Sequence, residues 1–110
     1  MLRLRYDNRY ANGTETLDKA PLDPFLDEWV EAVETVTFGA KGRYAVTLTR
    51  VRDGKELFSY TNDALDMWRT GTTGMRPKWG IYRYIGKNRE WQSQLRDEEI
   101  RFADFSIEKK

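Results

Sequence analysis

Arg43-Tyr44-Ala45-Val46-Thr47-Leu48-Thr49-Arg50-Val51 is followed by Arg52-Asp53-Gly54-Lys55 and then by Glu56-Leu57-Phe58-Ser59-Tyr60-Thr61. In the first run Tyr44, Val46 and Leu48 alternate with Ala45, Thr47 and Thr49. That two-residue period belongs to a strand with two unlike faces. An Asp-Gly pair between two such runs is a strong short-range hairpin signal, because glycine takes the positive φ of a tight turn without steric cost. An antiparallel hairpin over these residues is therefore the centre from which the rest of the chain is read.

On its N-terminal side, Leu2-Arg3-Leu4-Arg5-Tyr6 alternates strictly, apolar against Arg, as a half-buried strand should. Asp7 to Gly13 reads as a turn, with Asn12-Gly13 its strongest element. Residues 21–28 hold two of the three prolines and read as a loop. From Trp29 to Phe38, Trp29, Val33 and Val36 fit a helical face, whereas Val33, Thr35, Val36, Thr37 and Phe38 have strand composition. Gly39 and Gly42 close the segment and β-branched residues fill its second half, which favours a strand. Trp29, Val33, Val36 and Phe38 are expected in the core, as are Leu57 with Phe58 or Tyr60.

On the C-terminal side, residues 62–75 read as a connection carrying Trp68. Lys78 to Ile85 reads as a strand, Gly86 to Arg96 as a loop, and Ile100 to Ile107 as a closing strand. Six or so strands, little helix and no internal repeat predict an all-β chain, an antiparallel β-sandwich occupying residues 1–110 as a single domain.

Composition narrows the chemistry. The chain has 110 residues with 39% hydrophobic and 14% aromatic content, enough to build a core. It contains no cysteine and no histidine. Thiol-ligated metals, disulfides, a Ser-His-Asp triad, a His-based zinc site and a His general base are all excluded within it. No metal or other cofactor is expected. A formal net charge of +1 offers no bulk argument for nucleic acid or membrane binding. No apolar run approaches the ~18 residues of a membrane span, and the first ten residues contain no secretory apolar region.

One stretch is poorly suited to filling a core: Arg76-Pro77-Lys78-Trp79-Gly80-Ile81-Tyr82-Arg83. Read as a strand, it sends Lys78, Gly80 and Tyr82 to one face and Trp79, Ile81 and Arg83 to the other. An ammonium, a residue without a side chain and a phenol make a good floor for a groove that holds an anionic polymer.

The order of elements around this motif resembles the C-terminal half of polysaccharide lyases with a concanavalin A-like β-jelly roll. The heparin lyase I and glucuronan lyase group is the nearest in pattern, with alginate lyases more distant. The resemblance runs from about Leu2 to Ile107, and Lys-x-Gly-x-Tyr is its specific part. It implies a partial jelly roll acting on, or descended from proteins acting on, an anionic, uronate-containing polysaccharide outside the cytoplasm or in the periplasm. It also implies that Lys78 and Tyr82 are catalytic. Apart from the resemblance, Arg76 is a candidate substrate contact, and Trp68 and Trp91, read in loops, either stack on a sugar ring or cap the sandwich. Such lyases break the bond to O4 of a uronate by β-elimination. The C5 proton becomes acidic only when the neighbouring carboxylate is neutralised. In the family, Lys orients or neutralises substrate charge and Tyr protonates O4, in some members also removing the C5 proton.

The chain departs from the pattern in having no histidine, which many members use as base, and in lacking the N-terminal half that completes their site. Pro77 also stands where relatives often have an aromatic residue. Three readings follow: a lyase-like domain, inactive if the other half of the site is essential; a non-catalytic carbohydrate-binding sandwich; or a truncated reading frame. The last would expose an open sheet edge and apolar surface and would associate, for instance as a homodimer through open edges. Arg3, Arg5 and Arg9 read as a basic edge suited to a polyanion or simply to solvent. Glu28, Glu31 and Glu34 are spaced by three and so do not share one strand face.

Overall fold

The computed structural model describes residues 1–8, 13–68, 71–74, 78, 80 and 99–109. The chain divides into two compact units, Met1–Gly74 and Met75–Lys110. All regular structure among the described residues lies in the first unit. It comprises β1 (Leu2–Asn8), β2 (Gly13–Ala20), β3 (Val30–Thr37), β4 (Gly42–Arg50) and β5 (Glu56–Leu65), with one 3-10 turn at Asp23–Phe25. β1 pairs with β2, and β3, β4 and β5 form a second sheet in that order, every pairing antiparallel. The chain is all-β, with the sheets of a partial β-sandwich.

The hairpin at the centre of the sequence forms as its pattern requires. Gly54 adopts φ 70°, a value that side-chain-bearing residues rarely take. The Gly54 N–H donates to the Arg50 carbonyl and the Arg50 N–H to the Lys55 carbonyl, both at 2.8 Å. The Arg50 guanidinium grips both Asp53 carboxylate oxygens, Nε at 3.0 Å and Nη2 at 2.6 Å. That fork holds the Asp53 carboxyl well below the usual carboxylate range.

β5 continues past Thr61 to Leu65, so Asn62 and Asp63, expected in a connection, belong to the strand. Their polarity misleads because pairing decides the conformation: Asn62 lies opposite Tyr44 and Leu65 opposite Gly42. A register shift between these pairs lets the strand bend.

β4 lies between two partners, so its residues are half-buried or buried throughout. Its even-numbered side chains share one face with Val30, Ala32, Glu34 and Val36 of β3 and with Phe58, Tyr60 and Asn62 of β5. Val46 is the centre of that face, with only 5% of its surface exposed. Leu65 and Ala20 are the other buried apolar residues. Just past Leu65 the chain is tied to β1 and to the β3–β4 turn. The Tyr6 hydroxyl donates to the Asp66 carbonyl, and the Met67 N–H donates to the Gly39 carbonyl at 2.8 Å. Gly42 is needed here, since a Cβ at this position would strike the Thr37 carbonyl and lie 2.9 Å from Met67 Cβ.

One strand appears where the sequence suggested none, and two sequence expectations are corrected. Gly13–Ala20 is a strand that composition does not announce, because Asp, Lys and Glu have low β propensity; pairing with β1 imposes it. Ile100 to Ile107 is not a strand: residues 99–109 have no regular structure, and Asp104 has φ 58°, incompatible with a continuous strand. Phe102 and Phe105 instead contact one another, with ring centroids 5.8 Å apart. Finally, Trp29, Val33 and Phe38 are exposed rather than core, each with about half its surface open, and Val36 is half-buried. β3 is a sheet-edge strand, so an apolar pattern there does not guarantee cover.

Candidate functional site

Lys78 and Gly80 are the described residues of the Lys-x-Gly-x-Tyr motif. Both are exposed. Lys78 belongs to no strand, and Gly80 sits in a bend with φ 148°, outside the range of a regular strand. A residue with a Cβ rarely adopts that φ, which accounts physically for glycine between the cation and the phenol. Arg76, Trp79, Ile81, Tyr82, Arg83 and Trp91 lie outside the described residues. Trp68 belongs to the first unit, just beyond β5, with 37% of its surface open. Its backbone N–H is capped by the Asp66 carboxylate at 3.1 Å.

The β1–β2 sheet presents a cationic strip. Exposure alternates along β1, with Leu2, Leu4 and Tyr6 turned inward and Arg3, Arg5 and, at the far end, Asp7 outward. Arg3 pairs directly with Lys19, which is also exposed. Three cations therefore share one face, two of them opposite each other. Like charges directly across a ladder repel, and an anionic ligand would relieve that repulsion. The sequence shows Arg3 and Arg5; Lys19 joins them only through the register of β2. Arg9, the third residue of the expected basic edge, lies outside the described residues.

A second cluster, absent from the sequence reading, occupies the even face of the three-stranded sheet. Tyr44 lies opposite Val36 and Asn62, while Val46 beside it lies between Glu34 and Tyr60. The Asn62 amide donates to the Tyr60 hydroxyl at 3.2 Å, and Asn62 Oδ1 accepts from the Ala64 N–H at 2.9 Å. Burial, then the charge of Glu34 and a hydrogen bond to it, push the Tyr44 phenol up to about 12. Tyr44 is therefore a neutral donor at ordinary pH and no candidate for a phenolate base. Two phenols, an amide and a carboxylate can exchange hydrogen bonds with a hydroxyl-rich ligand. The signal is the shared parity of Tyr44, Tyr60 and Asn62 along the hairpin, which counts only when Asn62 belongs to the strand.

Glu31 and Glu34 lie in β3 at positions of opposite parity and so point to opposite faces of the sheet, while Glu28 is bound to Arg52 at 2.9 Å. These three carboxylates form no paired site. Among the described residues no cluster of acidic side chains could hold a metal ion. No protein-family model matches the sequence, and no curated protein or solved structure is detectably similar to it.

Proposed function

We propose that this chain is a polysaccharide lyase-like β-sandwich segment whose ligand is a uronate-containing polysaccharide met outside the cytoplasm. The observation that carries the reading is Lys78-Trp79-Gly80-Ile81-Tyr82, a cation and a phenol either side of a glycine. The Arg3, Arg5 and Lys19 strip supports a polyanion over a neutral polymer. In this reading Lys78 neutralises the uronate carboxylate, making the C5 proton acidic. Loss of that proton places its electrons in a C4–C5 double bond, the C4–O4 bond breaks, and Tyr82 protonates the departing O4. With no histidine in the chain, the C5 proton also falls to Tyr82, whose phenolate would take it and return it to O4. Arg76, Trp68 and Trp91 are assigned to the sugar chain, the indoles as stacking surfaces.

Incubation with heparin, glucuronan and alginate tests the proposal. One of them should develop the ultraviolet absorbance of an unsaturated uronate, and Tyr82→Phe should slow that by ~10²-fold or more. No absorbance with any polyuronate overturns the lyase reading. A second reading, a non-catalytic carbohydrate-binding module, is favoured by the Tyr44, Tyr60, Asn62 and Glu34 cluster. Its mark is retardation in gels containing polysaccharide without any cleavage, weakened by Tyr60→Ala.

A further inference from the structure

Among the described residues, β3 is an edge strand without a bulge, a proline or a cation, its charged side chains being Glu31 and Glu34. It ends the three-stranded sheet, and Glu31 to Thr35 are all exposed. Its pairing with β4 runs from Val30 to Thr37 without a register shift, and it contains no Lys, Arg, Pro or Gly. The other edges are guarded. The β1–β2 sheet has a bulge and carries Arg3 and Lys19, and β5 is irregular near both ends. Sheets commonly prevent edge-to-edge association with bulges, prolines and lysines, and β3 has none of them.

We propose that β3 pairs antiparallel with β3 of a second copy, about a two-fold axis through Val33. Such an axis stands normal to the sheet and keeps each side chain on its own face, so the strand must pair about a residue rather than between two. Of the possible centres, only Val33 and Glu34 bring seven residues of β3 into register. Centring on Glu34 sets two carboxylates directly opposite, which destabilises the pair. Centring on Val33 sets Val33 against itself, Val30 against Val36, Ala32 against Glu34 and Glu31 against Thr35, with no like charges opposed. Val33, exposed on a lone chain, then meets its own copy across the new ladder. The result is a continuous six-stranded sheet, made of two copies of the three-stranded one. This inference does not depend on the proposed function.

The chain contains no cysteine, so single-cysteine variants report the register directly. Light scattering over a concentration series should show the unaltered chain passing from monomer to dimer. Under mild oxidation Val33→Cys should give a disulfide-linked dimer. Glu34→Cys should crosslink at least ~10-fold more slowly, because its two copies sit on a diagonal of about 7–8 Å, beyond disulfide reach. Val33→Lys should leave a folded monomer by circular dichroism, while Thr61→Lys on the opposite edge should still dimerise. A unaltered chain that stays monomeric overturns the proposal. So does faster crosslinking through Glu34→Cys than through Val33→Cys, or equal loss of dimer from the two lysine variants.

Discussion

β3 and β4 are neighbours of similar length, hydrogen-bonded without interruption from Val30 opposite Arg50 to Thr37 opposite Arg43. Both are rich in β-branched or apolar residues. Yet β4 is half-buried or buried along its whole length, whereas in β3 only Val30 and Val36 escape full exposure. The difference lies in the number of neighbours rather than in the residues. A central strand is covered by side chains from both flanks, and an edge strand has one flank open to solvent. Stability in this unit should therefore be concentrated in β4 and its contacts, leaving β3 free to serve association.

The largest effect that sharpens this contrast is a charge placed on each strand. Val46→Asp buries an unpaired carboxylate and should destabilise the unit by roughly 4 kcal/mol or more, while Val33→Asp in dilute, monomeric protein should stay within about 0.5 kcal/mol. Urea unfolding followed by tryptophan fluorescence measures both, and equal losses would erase the distinction. Next come the glycines that shape β4. Gly42→Ala forces a methyl against the Thr37 carbonyl and should cost about 1–3 kcal/mol. Gly54→Ala meets open space and should cost only about 1 kcal/mol for its positive φ. Thermal melts that rank them in the reverse order would show the turn, not the close approach, to be limiting.

Two titrations give smaller signals. Because the Tyr44 phenol is raised in the folded state, its contribution to stability is complete below the ordinary phenol value near 10. It is lost as pH rises towards about 12. An alkaline ultraviolet titration should therefore show a late-ionising component that is absent in Tyr44→Phe and advanced in Glu34→Gln. Asp53 behaves in the opposite sense: its depressed carboxyl contributes stability above the ordinary carboxylate range, lost as pH falls below it. Asp53→Asn should flatten the acid limb of the melting temperature against pH, with little change near neutrality.

The hairpin was legible because its information is local. Alternation in Tyr44 to Leu48 fixes faces, and Asp53-Gly54 fixes the turn. β3 was legible as a strand from its β-branched residues and flanking glycines, but not as an exposed one. β2 was illegible, since Thr14, Glu15, Asp18 and Lys19 carry no apolar alternation and are held by the pairing partners of β1. Ile100 to Ile107 reads as a closing strand in the sequence, and nothing in it reveals the positive φ at Asp104. At the candidate sites, Lys78 and Tyr82 are recognised from the motif, and Arg3 with Arg5 from alternation. Lys19 required the β1–β2 register, and the Tyr44 cluster required three strands to come together.

By itself, then, the sequence determined the all-β class, the central hairpin and the absence of histidine and cysteine chemistry. Those properties depend on residue type and on spacing within a few positions. Which strand is central, which valines stay exposed, and which charges and phenols share a face follow from the pairing of distant segments. Burial and cross-strand proximity arise between residues far apart in the chain, where no local pattern records them. β3 shows the limit plainly: its β-branched composition is that of a covered strand, and its place at the sheet edge leaves it open.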